Sequence, residues 1–136
     1  MAPRQNRLSH PAVAKIVLAG YVLVLLTATH LPPTVSLLLP EEDNLDKLYH
    51  FTAYSILAGF LATAWQFASG VLTGRHLRWV WFAVAIFAAL DEITQIPVGR
   101  DCDFWDWTAD VIGAATGLLV CAWLRRRITE RTTQAQ

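Results

Sequence analysis

Thiols, charge and a net sign are what this chain has least of. Its 136 residues include two cysteines, Cys102 and Cys121, and neither a CxxC nor a Cys/His zinc spacing, so redox and structural-zinc readings have no support. On a helix the two cysteines would stand roughly 28 Å apart, while a disulfide needs its Cα atoms within about 7 Å, which excludes an intrachain bridge. Lys+Arg and Asp+Glu both number 11, giving zero formal net charge, and this leaves no basic footprint for nucleic acid. Charged residues are only 16% of the chain against 54% hydrophobic, with a mean hydropathy of +0.37. That balance is richer in apolar residues than an ordinary soluble domain and indicates a single membrane domain.

No acidic residue interrupts residues 12–31, an aliphatic run long enough at about 1.5 Å per residue to cross a hydrocarbon core of roughly 30 Å. A processed leader is the rival reading of this basic start and apolar run. The run is long for a leader, and without it three spans would put the termini on opposite sides. Pro32 and Pro33 end the run. Further spans are expected at about 47–69, 77–96 and 105–124, the last closed by Arg125, Arg126 and Arg127. Residues 1–11 and 128–136 have the composition of disordered tails around a domain over 12–127. In the loop after the first span, Leu37–Leu39 could rest on the membrane surface, and Glu41, Glu42, Asp43 and Asp46 make it acidic.

Basic residues sort by side. Arg4, Arg7, Lys15, Arg75, Arg78, Arg125, Arg126, Arg127 and Arg131 fall on one face of this topology, Lys47 and Arg100 on the other. The positive-inside rule then makes both termini cytoplasmic and the loops 32–46 and 97–104 external. The expectation is an all-α, four-helix integral membrane bundle, with Trp79, Trp81, Trp105, Trp107 and Trp123 near span ends.

The chemistry sits in residues 89–117, where six carboxylates and Arg100 lie between two strongly apolar runs. A charge at the bilayer centre costs at least about 2.5–3.5 kcal/mol, so Asp91, Glu92 and Asp110 need partners or a wet cavity. Asp46, His50 and Tyr54 recur at i, i+4 and i+8, a polar stripe on one face of the second span. Asp103, Asp106, Asp110, Gly113 and Gly117 share an arc of about 80° on the fourth if its helix begins near Asp103. The start of the second span, the end of the third and the start of the fourth all meet at the external face. Below Tyr54, above Asp91 and beyond Asp110 no charged residue lies within the inner leaflet, which speaks against a transport path. The GxxxG at Gly113 and Gly117 permits close helix approach.

Together, Asp46-Lys-x-x-His50-Phe-x-x-Tyr54, Asp91-Glu92-x-x-Gln95 and Gly99-Arg100-x-x-Asp103-x-x-Asp106-x-x-x-Asp110-x-x-Gly113-x-x-x-Gly117 resemble the VanZ-like family of small bacterial membrane proteins, over about residues 44–124. The resemblance implies a cell-envelope protein, with a founding member linked to teicoplanin resistance, and brings no established reaction. The chain departs from the family pattern at Asp110, where asparagine is usual.

Candidate catalytic residues are therefore Asp46, His50, Asp91, Glu92, Arg100 and Asp106, with Tyr54, Gln95, Asp103 and Asp110 as binding residues. Asp91, Glu92 and His50 are candidate ligands of a divalent cation, since adjacent carboxylates repel and a cation between them would relieve it. Arg100 could clamp a phosphate or carboxylate, or neutralise Asp91, Asp103 or Asp106. His50 could serve as acid/base or as a hydrogen-bonded packing residue. The partners expected are the bilayer and a lipid-linked or glycopeptide ligand. An envelope enzyme acting on a lipid-linked or phosphate-bearing substrate and a structural or binding protein remain the alternatives.

Overall fold

The computed structural model describes residues 9–31 and 43–134, and among these the chain is all-helical. The helices are α1 (His10–Thr29), α2 (Asp43–Ser69), α3 (Gly74–Gln95) and α4 (Phe104–Gln134), with a 3₁₀ turn, Ile96–Val98, after α3. The Leu37–Leu39 patch and Glu41–Glu42 lie outside the described residues, as do residues 1–8.

Among the described residues, three helices are long and apolar enough to cross a membrane: α1, α3 with its 3₁₀ turn, and α4. The second expected span, at 47–69, is helical and reaches back to Asp43, but even its most apolar stretch is less so than those of the other three helices. Its place in the bundle explains this. α2 touches all three other helices, most extensively α4, so much of its surface meets protein and not lipid. Tyr54, Leu57, Ala58 and Ala62 of α2 form the core with Val80, Val84 and Ala88 of α3 and Ala114 and Leu118 of α4. The outward faces stay apolar, as lipid contact requires: Leu23 and Val24 of α1, Ile86 of α3 and Leu119 of α4 are all more than 60% exposed.

The α2–α4 seam is the closest contact. A methyl group built on Gly113 would strike the backbone carbonyl of Phe51, and one on Gly117 that of Ser55. One step further along, Gly59 faces the Cys121 sulfur, 3.5 Å from where its own Cβ would stand. These three pairs advance four residues on each helix, so the helices run parallel and in register along one ridge. Ser55 Oγ donates to the Gly113 carbonyl oxygen at 2.7 Å, a further link across the seam.

Two indoles join α3 to α4. Trp81 Nε1 donates to the Val111 carbonyl at 3.1 Å and Trp107 Nε1 to the Ala85 carbonyl at 3.0 Å, so both N–H groups are satisfied inside the bundle. These two were expected as interfacial aromatics; both are half-buried, whereas Trp79, Trp105 and Trp123 are exposed. α1 attaches through Tyr21, whose hydroxyl donates to the Ala53 carbonyl at 2.8 Å.

The helix ends follow local chemistry. Thr73 and His76 form a capping box at the start of α3. After Pro97, Gly99 takes φ 82°, a left-handed conformation that glycine adopts without strain, and turns the chain toward α4. Asp103 accepts from the Trp105 N–H at 2.7 Å and so caps α4. At the far end the expected disordered tail is replaced by helix: α4 continues past Arg127 to Gln134. Thr129, Thr132 and Thr133 each donate to the carbonyl four residues back, and Arg125 reaches across to the Leu72 carbonyl at 3.2 Å. At 31 residues α4 is about 46 Å long, beyond the roughly 30 Å a bilayer core requires.

The seam generates a graded expectation. Gly113→Ala and Gly117→Ala should each force the helices apart and lower stability by about 1–3 kcal/mol or more. Gly59→Ala, with only ordinary contact to Cys121, should be neutral or stabilising. Thermal melting of the three variants in detergent checks the ranking.

Candidate functional site

The ends of α1 and α3 and the starts of α2 and α4 meet in one polar layer, built around two buried knots. Asp91 and Glu92 supply one each. They are adjacent on α3, and successive helical residues point about 100° apart, so the two carboxylates diverge instead of sharing a cation.

Asp91 faces α1 and α2. Tyr54, fully buried, donates its hydroxyl to Asp91 Oδ2 at 2.9 Å, and Thr29 donates to Oδ1 at 3.1 Å. His30 Nδ1 lies 3.7 Å from the same Oδ1, and its Nε2 is 3.0 Å from the Thr94 hydroxyl. One carboxylate thus ties three helices together. Thr29 and His30 were missing from the sequence-derived candidates. The topology held the signal, since the last turn of the first span comes out on the same side as Asp91.

Glu92 faces α2 and α4. Gln95 Nε2 donates to its Oε1 at 3.3 Å, and the Asp103 backbone N–H to its Oε2 at 3.0 Å. His50 stands beside it, with Nδ1 at 3.9 Å from Glu92 Oε1 and 3.0 Å from Asp110 Oδ1. All three are buried, Asp110 completely. Asp110 Oδ2 and Asp106 Oδ1 are buried without a hydrogen-bond partner among the described residues. Lys47 Nζ approaches the latter to 3.4 Å as an ion pair and reaches Asp103 Oδ2 at 3.5 Å.

The rim is solvated. Arg100 was expected to neutralise Asp91, Asp103 or Asp106; its ion-pair partner among the described residues is instead Asp46, at 3.8 Å, with the Asp46 side chain 45% exposed. The turn at Gly99 accounts for this by holding Arg100 outside the helices, above the buried layer. Asp103 acts on the fold through its cap and through the N–H it gives Glu92.

The residues brought together are thus His50, Glu92, Gln95, Asp106 and Asp110, with Lys47 above them. Of the candidate cation ligands, His50 and Glu92 converge, Asp91 belongs to the other knot, and Asp110 takes its place. A groove of about 650 Å³ lies at the opposite end of α4, against Leu72, Leu77, Arg125, Arg126 and Thr129, and no residue of the polar layer lines it.

A family profile described as VanZ/LLP1 matches residues 4–125 of the chain. No curated protein and no solved structure matches it.

The two knots and the rim predict three different responses. Asp91→Asn keeps one acceptor oxygen and a side chain of the same shape, so it should fold. Asp91→Leu strands the Tyr54 and Thr29 hydroxyls and should cost about 1–3 kcal/mol for each unpaired group. Arg100→Ala removes a partly exposed pair held at 3.8 Å and should change stability by about 1 kcal/mol or less. Melting in detergent measures all three, and a large loss for Arg100→Ala would place that guanidinium deeper in the network.

Proposed function

The chain belongs to the VanZ/LLP1 family, and from that premise we propose that it is an integral protein of the bacterial inner membrane whose polar layer faces outward and engages a phosphate-bearing or lipid-linked component of the cell envelope. The observation that carries this reading is the His50–Asp110–Glu92 cluster, three ionisable groups buried together at one end of the bundle. Ionisable residues held at membrane depth are costly and mark functional sites by default. The orientation comes from the distribution of Lys and Arg, nine on the side of the termini and two beside the cluster.

In this reading α2, α3 and α4 hold the cluster while Lys47 and Arg100 at the rim supply the positive charge that an anionic substrate meets first. His50 would hold or move a proton within the layer, and Arg100 could grip a phosphate or carboxylate in bidentate fashion. Teicoplanin-type glycopeptides act on the envelope outside the membrane, so a change in glycopeptide susceptibility is the phenotype to expect. One observation favours a second reading, of a static lock. Asp91 and Glu92 are each satisfied by donors within the bundle, as helix-tying carboxylates are.

Topology and function can be tested separately. A reporter fused after Gln136 should be active only in its cytoplasmic form; periplasmic activity would refute the orientation. Cys102 is exposed just before α4 and Cys121 half-buried midway along it, so a membrane-impermeant maleimide should label Cys102 alone in cells whose outer barrier has been removed. Cells producing His50→Gln should lose whatever glycopeptide phenotype the native chain confers at equal protein level. Unchanged susceptibility would favour the static lock.

A further inference from the structure

We propose that His50, Glu92 and Asp110 form a site for one divalent transition-metal ion, buried between α2, α3 and α4. The proposal rests on the reading of this layer as a functional site and names what the layer holds.

Geometry is the first support. One ligand atom from each residue lies within 4.8 Å of the other two, and the His50 Nδ1 separations are 3.0 Å to Asp110 and 3.9 Å to Glu92. Ligands about 2.1 Å from a common ion stand roughly 3.0–3.4 Å apart, so small side-chain rotations would close the set. The second support is independent of the cluster's acidity. Asp110 is 0% exposed and its Oδ2 has no hydrogen-bond partner among the described residues, an orphaned acceptor beside the set. Such an atom costs about 1–3 kcal/mol when left unpaired, more when it carries charge.

Charge balance then calls for a divalent cation or for one proton more than the imidazole carries. An imidazolium between two carboxylates leaves one net negative charge at membrane depth. A neutral imidazole, two carboxylates and a divalent ion sum to zero, the least costly total in a medium that penalises charge. The imidazole ligand selects a transition ion of the zinc or manganese type over magnesium or calcium, which prefer oxygen alone. The surroundings suit the role. Gln95 and the Asp103 N–H fix the two oxygens of Glu92 from outside, as outer partners of metal ligands do. Asp46, His50 and Asp106 form a second set of comparable closeness. It shares His50 and is more exposed, so we assign the ion to the buried set. Three protein ligands leave a position open, through which an anionic oxygen of a phosphate-bearing substrate could approach a layer otherwise dominated by carboxylates.

The test uses the full-length, untagged chain in detergent, stripped with a chelator and then exposed to Zn²⁺ or to Mn²⁺ before gel filtration and elemental analysis. The native chain should retain about one ion and melt higher with the ion than without. Asp110→Asn, Glu92→Gln and His50→Gln should lose it, Gln95→Ala should weaken it by about 10- to 100-fold, and Asp101→Asn, an exposed control, should keep it. If the ligand variants do not fold, the native chain decides. Uptake with a raised melting temperature supports the site; less than about a tenth of an ion with unchanged melting overturns it. The envelope reading fails on a different result. Metal bound by the native chain, with His50→Gln cells unaltered in glycopeptide susceptibility, would keep the ion as structural and refute the function. Altered cells with a metal-free native chain would refute the ion alone.

Discussion

The seam between α2 and α4 sets the position of everything polar in this molecule. At Gly113 and Gly117 a backbone occupies the space a side chain would need, so the two helices can lie together only in this register. The register then fixes the chemistry. His50 immediately precedes Phe51, the residue pressed against Gly113, and Asp110 lies three residues, nearly one turn, before that glycine. Close approach at the glycines therefore brings the imidazole within 3.0 Å of Asp110. Lys47, one turn earlier on α2, comes down beside Asp103 and Asp106 for the same reason. Association of helices in lipid gains little from the hydrophobic effect, because lipid tails are as apolar as the side chains. Backbone proximity, the Ser55 hydrogen bond and the two indole links to α3 must supply the specificity instead.

Against this seam stands the electrostatic demand of the layer it creates. Asp91 shows how a buried carboxylate can be accommodated without a formal counter-charge in contact: two hydroxyls replace water, and a histidine stands nearby. Glu92 is solvated in the same manner by an amide and a backbone N–H. Asp106 and Asp110 are different, since among the described residues each keeps one buried oxygen without a hydrogen-bond partner, Asp106 Oδ1 meeting only the Lys47 ammonium as an ion pair at 3.4 Å. The layer is thus divided into carboxylates that the fold has satisfied and carboxylates that it has not, and the unsatisfied ones border His50.

How much of this could be read from the residues alone follows the same division. Apolar runs of span length are visible because a bilayer imposes a length, and the Asp46, His50, Tyr54 spacing is visible because a helix imposes a period. The glycine pair on α4 was legible for the same reason. Partner choice within the layer was not. Asp91 and Glu92 are neighbours in sequence, and only the packing of α1 on one side and α4 on the other separates them. Arg100 reads as the natural counter-charge for the buried acids until the Gly99 turn holds it at the rim. The helical continuation to Gln134 contradicts its composition, which is polar throughout; threonines bonding back along the helix and an arginine anchored to Leu72 override that signal.

Asp110 is the residue where sequence and structure bear on each other most. The resemblance that groups this chain with VanZ-like proteins has asparagine as the usual residue here, and an asparagine could serve His50 while adding no charge. Aspartate at the same place adds a negative charge at a position with no exposure at all. Nothing in the seam requires it, because the glycines that set the helix approach lie further along the helix and would pack identically beside an amide. Lys47 is engaged with Asp103 and Asp106, and Arg100 with Asp46. Among the described residues the positive charge that can answer Asp110 is therefore His50, and His50 is shared with Glu92. An aspartate here thus loads a second carboxylate onto one imidazole, a demand that an amide at the same position would not make.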